Sequence, residues 1–328
     1  MNFRGEISFK VRKNAKFGPM KISDLKRRRV LQGLAVSGFS HAFSKVILAA
    51  DITTEFHNIT DRISLITGAG GNVVLYRGNQ SFTAVDSGGL EYSAVLREAV
   101  ESTVGGMPIE SLINTHWHDD HTGGNEAFRA MGAKILAHEN TRLWMTADFD
   151  IEWRNTSIKP RLVKALPDET FYFSREYDLG GETALLIHHG QAHTDGDLVI
   201  YLPDSNVMIT GGLLSVGAYP VCDSATGGWI GALIPANAAM LALANDDTVI
   251  IPDKGPAVGK AALQTQHDML ADLYEQMKEL ARLGYHAGDM LEAGVTNDYD
   301  ALWGDPTEFV HETYRGMWAH SRDMGGFL

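Results

Sequence analysis

The segment 115–121, with the sequence THWHDDH, constrains this chain more than any other stretch. Three histidines and two aspartates fall within the six positions 116–121. His116 and His118 are two residues apart, so in an extended segment both imidazoles project to one side. The preceding residues 109–114, IESLIN, are typical of a short buried strand. The sequence therefore predicts a polar cluster at the end of a rigid strand, where catalytic loops lie.

The residue types in this motif predict a metal site. Neutral imidazole is the commonest protein ligand for zinc, and carboxylates also bind zinc. The alternative is a polar surface turn that happens to be rich in histidine. A second histidine segment, GQAHTDGD at 190–197, follows about 70 residues later.

The two motifs, in this order and at this separation, resemble the signature of the metallo-β-lactamase-fold hydrolases. The resemblance extends from about residue 55 to the C-terminus. It implies an α/β fold, an αββα four-layer sandwich with a C-terminal helical extension. It also implies a site at one edge, where both sheets end. Strand and helix periodicity alone would not fix this architecture.

Apolar periodicity predicts two halves, each passing from strands to alternating helices and strands. The predicted strands are 62–67, 72–77, 81–85, 109–114, 133–137, 170–174, 183–188, 198–202, 207–210 and 248–251, and the predicted helices are 91–103, 125–131, 230–244, 261–283 and two more within 286–321. Residues 140–168 are interpreted as an irregular insertion that covers substrate, or as a long loop anchored by aromatic side chains.

Three regions are expected along the chain. Residues 1–50 are interpreted as a twin-arginine signal segment and residues 51–260 as the catalytic domain. Residues 261–328 are interpreted as a helical extension that packs on this domain or forms a homodimer.

The interpretation of residues 1–50 rests on KRRRVLQ at 26–32, followed by an apolar run that ends in LAA before Asp51. His41 and Lys45 interrupt this run, so no membrane span is expected. A periplasmic location follows from export. An N-terminal helix that stays attached, in a cytoplasmic protein, is the alternative, and Met20 is an alternative start.

Charge and cysteine content limit the partners of this chain and its disulfide bonds. Residues 1–50 hold 11 basic and two acidic residues, which leaves 17 basic and 39 acidic in 51–328, a net charge of −22. This charge argues against nucleic acid and anionic membrane surfaces as partners, and a small-molecule substrate is expected. Cys222 is the one cysteine, so an internal disulfide cannot form.

The resemblance implies that His116, His118 and His193 bind one zinc ion and leave the fourth tetrahedral position to water. Asp120 would orient that water and accept its proton. In dinuclear members, Asp120 and His121 also bind a second zinc ion. His188 and His189 are interpreted as structural.

The second metal site departs from the family pattern in two places. The family sequence Thr-Gly-Asp-Leu-Leu, with an aspartate that bridges both ions, is TGGLL at 210–214, with Gly212 in place of the aspartate. The family sequence Pro-Gly-His-Gly-Pro is PDKGP at 252–256, with Lys254 in place of the histidine. We therefore expect one zinc ion rather than two.

Lys254 is predicted to lie near the position of the missing ion and to pair with Asp120, with a catalytic role toward an anionic group. The alternative is a solvated lysine that points outward. Asp253, Cys222 and Asp223 are the candidates for a substitute ligand.

Two functions follow from these observations. The first is a zinc-dependent hydrolase, in which zinc-bound hydroxide attacks an ester, lactone, thioester or amide carbonyl, including that of a β-lactam. The second is a non-catalytic zinc-binding accessory protein of the periplasm with the same fold. No residue pattern selects the substrate.

Overall fold

Two β-sheets packed face to face form the centre of the fold. The computed structural model describes residues 47–49 and 52–321. Its strands in chain order are β1 (Ile47–Ala49), β2 (Ile52–Asn58), β3 (Ile63–Thr67), β4 (Val73–Arg77), β5 (Phe82–Val85), β6 (Ile109–Ile113), β7 (Lys134–His138), β8 (Phe149–Ile151), β9 (Thr156–Ile158), β10 (Glu169–Phe171), β11 (Arg175–Asp178), β12 (Thr183–His188), β13 (Leu198–Leu202), β14 (Val207–Ile209) and β15 (Val249–Ile251).

The larger sheet has the order β1-β2-β3-β4-β5-β6-β7-β10, and the smaller sheet has the order β11-β12-β13-β14-β15. Strands β1 to β5 form an antiparallel meander, and β5, β6, β7 and β10 are parallel neighbours. In the smaller sheet, β14 and β15 are parallel and the other neighbours are antiparallel. Strands β8 and β9 form a separate hairpin.

Helices lie on the outer faces of both sheets. They are α1 (Ser93–Val104), α2 (Asp119–Thr122), α3 (Asn125–Ala130), α4 (Glu139–Thr146), α5 (Ile230–Leu243), α6 (Lys260–Arg282), α7 (Ala287–Glu292), α8 (Asp300–Trp303) and α9 (Thr307–Ala319). The longest, α6, buries one apolar face, which includes Leu263, Leu270 and Met277 at helical spacing.

Three clusters of buried apolar residues lie between these layers. Between the sheets, residues such as Leu65 and Ile113 of the larger sheet pack against Leu186 and Ile200 of the smaller one. A second cluster joins the outer face of the larger sheet to α1 and α3. A third joins the smaller sheet to α5, α6, α7 and α9. The expected αββα four-layer sandwich is therefore confirmed, with C-terminal helices packed on its outer face.

The direction of the strands brings the predicted motifs to one edge. Strands β5 and β6 are parallel, so the residues after Val85 and after Ile113 leave the larger sheet at the same end. Strands β12, β14 and β15 run the same way in the smaller sheet. The segments 190–197, 210–214 and 252–256, which follow these three strands, therefore lie at a common edge.

Two expectations about secondary structure were wrong. Residues 140–168 are not uniformly irregular, because α4 and the β8–β9 hairpin lie there. Thr141 and Met145 bury one face of α4, and His138 Nδ1 accepts a hydrogen bond from the Asn140 amide at its start. Residues 286–321 form three helices instead of two, because residues 300–303 are themselves helical.

Other expectations lie outside the described residues. The proposed signal segment at 1–50 does so except for β1, and it stays a prediction. Among the helices that the structure describes, none combines the length and the apolarity that a membrane span requires.

Packing of α6 against the smaller sheet predicts that two leucines contribute very differently to the free energy of unfolding. Leu273 is fully buried, whereas Leu283, just after α6, is 73% exposed. We expect Leu273→Ala to lower the free energy of unfolding by about 2–5 kcal/mol, because it leaves a cavity. The matched control Leu283→Ala should change it by less than about 0.5 kcal/mol. Urea denaturation followed by circular dichroism measures both, and equal effects would contradict this account of the core.

Candidate metal centre

His116, His118 and His193 converge at the shared edge of the two sheets. The three pairs of ring centroids are 4.8, 4.7 and 4.8 Å apart. His193 Nε2 lies 3.0 Å from His118 Nδ1, and one nitrogen from each ring lies within 4.8 Å of the others. His116 and His118 come from the segment after β6, and His193 comes from the segment after β12. The structure thus brings together the three residues that the sequence predicted for the first metal.

Each of these rings makes a hydrogen bond through the nitrogen that faces away from the centre. Thr115 Oγ1 lies 2.9 Å from His116 Nδ1, and His193 Nδ1 donates to the carbonyl of Val221 over 2.5 Å. His118 Nε2 donates to Asp223 Oδ2 over 3.1 Å. The opposite nitrogens, Nε2 of His116 and His193 and Nδ1 of His118, are thereby left as lone-pair donors toward a common point.

The electrostatics of the centre favour the neutral form of His116 and of His193. Burial and the neighbouring cations and imidazoles hold the pKa of His116 well below its usual value. Burial and His118 lower the pKa of His193 as well. Neutral imidazole is the form that binds a metal ion, and together with His118 these two side chains fit a zinc site with an open fourth position.

His121 lies between two carboxylates instead of facing an open position. Its Nδ1 is 2.7 Å from Asp86 Oδ2, and its Nε2 is 2.7 Å from Asp253 Oδ1. Burial alone would lower the pKa of His121, but Asp86 and Asp253 outweigh it and raise this pKa well above its usual value. The two carboxylates therefore favour the imidazolium form of His121, which is hydrogen-bonded to Asp86 and forms an ion pair with Asp253.

Lys254 occupies the space beside Asp120, as the sequence predicted. Its Nζ lies 2.7 Å from Asp120 Oδ2 and 3.8 Å from Asp253 Oδ2. Burial alone would raise the pKa of Asp120, but His121 and Lys254 outweigh it and lower this pKa below its usual value. Burial lowers the pKa of Lys254, but its hydrogen bond and charge interaction with Asp120 raise it overall. The two side chains form an ion pair at the edge of the centre.

Gly212 leaves no room for the carboxylate that the family pattern has there. A Cβ atom built on Gly212 would lie 2.1 Å from Cδ2 of His193 and 2.6 Å from its Nε2. The ring of His193 thus packs directly on the Gly212 backbone, and a larger residue would displace this ring.

His116, Asp120 and His121 form a second cluster whose ligand atoms lie within 4.8 Å of one another. It shares His116 with the first cluster. Both nitrogens of His121 are engaged by carboxylates, and Asp120 is paired with Lys254. A cation in this cluster would have to displace the Lys254 ammonium and remove a proton from His121. The three-histidine cluster is consequently the better metal site.

A cavity of about 590 Å³ opens over the three histidines. Lys254 and Arg154 border it, and Tyr219, Trp303 and Phe309 contribute apolar surface. From the sequence, the C-terminal helices are expected to pack on the domain or to form a homodimer. Trp303 lies in α8 and Phe309 in α9, so these helices also form a wall of the pocket.

The other sequence candidates lie outside the two metal clusters. His188 Nδ1 is 2.9 Å from the carbonyl of Asp197, and its ring stacks on His138 at 4.0 Å. Neither His188 nor His189 belongs to a metal-ligand group among the described residues. Cys222 is buried, and burial raises the pKa of its thiol above the usual value.

Two residues near the centre have roles that sequence reasoning missed. Asp86 binds His121 and also accepts hydrogen bonds from the amide and the hydroxyl of Thr115, both over 2.7 Å. Asp86 has a φ of 57°, a conformation uncommon for residues other than glycine, at the turn after β5. Asp223, considered as a substitute ligand for the second ion, instead binds His118 of the first cluster. The one signal in the sequence was the position of Asp86 directly after the predicted strand 81–85.

A two-sheet sandwich with helices outside and a histidine cluster at the common edge defines a metallo-hydrolase fold. The model of the Metallo-beta-lactamase superfamily matches residues 66–262, and the chain belongs to this superfamily.

This chain matches less than half of the length of each of two sequence relatives. A metallo-beta-lactamase type 2 from Elizabethkingia meningoseptica is 28% identical over 112 residues, which are 34% of this chain and 39% of that protein. A hydroxyacylglutathione hydrolase from Erythrobacter litoralis is 28% identical over 107 residues, which are 32% of this chain and 34% of that protein.

Solved structures confirm the fold. A metallo-beta-lactamase from Pontibacter korlensis matches with a TM-score of 0.52 and 20% identity, over 70% of this chain and 100% of that chain. A sec-alkylsulfatase from Pseudomonas sp. matches with a TM-score of 0.57 and 14% identity, over 82% of this chain and 50% of that chain.

The three-histidine cluster predicts that zinc stabilises the folded chain. With free zinc at about 100 times its dissociation constant, the free energy of unfolding should rise by about 2.7 kcal/mol. His193→Ala should abolish most of this gain, because it removes one of three ligands, whereas His267→Ala on α6 should retain it. Thermal unfolding with and without zinc measures the effect. Equal stabilisation of wild type and His193→Ala would contradict the predicted ligand set.

Proposed function

We propose that this chain is a zinc-dependent hydrolase that acts on the ester, lactone, thioester or amide carbonyl of a small molecule. One ion would be held by His116, His118 and His193. The observation that carries the proposal is the convergence of three imidazoles at the floor of a cavity, each with its outer nitrogen already engaged.

Zinc held by three imidazoles supplies a water of pKa near 7 and a Lewis acid for a carbonyl oxygen. The protein groups around it have separate tasks. Asp120, ionised and beside His116, can accept a hydrogen bond from a water and orient it. Lys254 borders the same cavity as an ammonium and can bind an oxygen that gains negative charge. Val216, which lines the same cavity and is 40% exposed, can offer an apolar contact to the remainder of a substrate.

The proposal of one ion rests on charge and space at the second position. Lys254 and the His121 imidazolium already neutralise Asp120, Asp86 and Asp253 in part. A further divalent cation would meet two positive groups at close range. The position of Gly212 against the His193 ring also excludes the bridging carboxylate.

The chemical class of the carbonyl stays open within this proposal. The sequence relatives include proteins named as a metallo-beta-lactamase and as a hydroxyacylglutathione hydrolase, which supports assays on both kinds of substrate. Export by the twin-arginine route, a periplasmic location and a homodimer through the C-terminal helices are further proposals that rest on the sequence. Mass spectrometry of the N-terminus of the exported protein would test the first of these.

One observation favours the second candidate function, a zinc-binding accessory protein without turnover. Asp120, the residue that would orient the attacking water, is paired with Lys254 at 2.7 Å. If this pair never opens, the carboxylate has less capacity to accept a proton.

Turnover distinguishes the two functions. We expect the zinc-loaded full chain to hydrolyse at least one member of a panel of esters, lactones, thioesters and β-lactams, and His118→Ala to be inactive. A chelator should remove the activity and zinc should restore it. A folded, zinc-bound chain without activity on any member of the panel would favour the accessory role.

Restoring the family aspartate should not restore a second metal site. We expect Gly212→Asp to weaken binding at the first site by about tenfold or more, because the new side chain displaces the His193 ring. The control Gly259→Asp, at the start of α6, adds the same side chain where nothing lies within 4 Å of the Cβ position. Elemental analysis and chelator competition measure stoichiometry and affinity. A second tightly bound equivalent in Gly212→Asp would refute the single-ion site.

A further inference from the structure

A row of three charged side chains runs from the ligand His118 to helix α9. We call Asp223, Arg154 and Glu312 the relay; the two carboxylates are buried and Arg154 is partly buried. Its members lie on the loop after β14, on the short turn between β8 and β9, and on α9. The sequence separations are 105 residues for His118 to Asp223 and 158 residues for Arg154 to Glu312. The relay therefore depends on the completed tertiary fold.

Asp223 joins the two segments that carry the metal ligands. Its side chain is fully buried, and its Oδ2 accepts from His118 Nε2 over 3.1 Å and from Thr226 Oγ1 over 2.7 Å. Its amide donates to the carbonyl of His193 over 2.7 Å. A shift of Asp223 would consequently disturb both His118 and the backbone of His193.

Arg154 forms an ion pair with the other oxygen of Asp223. Its Nη1 is 3.1 Å from Asp223 Oδ1, and its Nε is 3.0 Å from Glu312 Oε1. A guanidinium has several donors in a fixed plane, so Arg154 can hold two carboxylates in one relative position. Without Arg154, the charge of Asp223 would be buried with fewer partners, which is costly.

Glu312 is the end of the relay and is itself buried, with its side chain 2% exposed. Oε1 also accepts from Trp153 Nε1 over 2.8 Å, and Oε2 accepts from Ser224 Oγ over 2.5 Å. Glu312 thus contacts Arg154, its neighbour Trp153, and Ser224, which directly follows Asp223. Such a set of donors around one buried carboxylate differs from an exposed surface ion pair, which contributes little.

We propose that Arg154 and Glu312 are positioning residues of the metal site. By fixing Asp223, they keep the His118 ring turned so that Nδ1 faces His116 and His193. Helix α9 is then part of the metal site as well as a wall of the cavity. This inference rests on the proposed function, because it requires that the three histidines bind zinc.

The test measures apparent zinc affinity of the full-length chain by chelator competition. We expect Asp223→Asn and Glu312→Gln each to weaken zinc binding by about tenfold or more, the range found for outer partners of metal ligands. The matched control is Glu308→Gln on the same helix. Glu308 lies 3.9 Å from Arg154 Nε but is 62% exposed, and its replacement should change the affinity by less than about twofold.

A double mutant separates positioning from a general loss of stability. If Glu312 acts through Asp223, the Asp223→Asn/Glu312→Gln chain should bind zinc about as weakly as Asp223→Asn alone. If the fold-losses in zinc affinity of the two single mutants multiply in the double mutant, the relay is overturned. A Glu312→Gln chain that binds zinc like wild type would also overturn it. If Glu312→Gln fails to fold, Arg154→Lys takes its place in the same cycle, because lysine keeps the charge but loses the planar set of donors.

The two proposals fail in different ways. Wild type that binds zinc, together with an unaffected Glu312→Gln chain, would overturn the relay alone. Wild type that binds no zinc would overturn both proposals.

Discussion

The hydrogen bond between each histidine of the centre and a partner behind it is the interaction on which this site depends. A bare imidazole can rotate and can carry its proton on either nitrogen. Thr115, the carbonyl of Val221 and Asp223 remove this freedom and leave three lone pairs directed at one point. The two sheets supply the condition for this arrangement, because their strands end at the same edge and carry the ligands there.

At the place where dinuclear family members bind a second metal ion, protein side chains supply the positive charge. Asp86, Asp120 and Asp253 surround a space in which His121 and Lys254 are the cations. A metal ion at such a position can be lost to a chelator, whereas an ammonium on a side chain cannot. The same arrangement explains why two replacements in distant segments, at Gly212 and Lys254, belong together: the glycine admits the His193 ring, and the lysine supplies the charge.

The sequence was sufficient to predict the layers of the fold, through the family resemblance, and the convergence of His116, His118 and His193. Strand and helix periodicity predicted ten of the fifteen strands and six of the nine helices that the structure describes, and the resemblance carried by the two histidine motifs implied the sandwich. The helix at Glu139–Thr146 was missed because its stability comes from burial of Thr141 and Met145, which tertiary contacts decide. The contacts of Asp223 with His118 and of Glu312 with Arg154 were missed for a related reason, since they join residues that are 105 and 158 positions apart in the sequence.

The participation of α8 and α9 in the pocket has a consequence for biosynthesis. Trp303, Phe309 and Glu312 leave the ribosome more than 100 residues after His193. A nascent chain therefore contains all three imidazoles well before the outer wall and the last carboxylate exist. Because domains generally fold as units, the wall over the three imidazoles is complete only after α8 and α9 have packed on the rest of the domain.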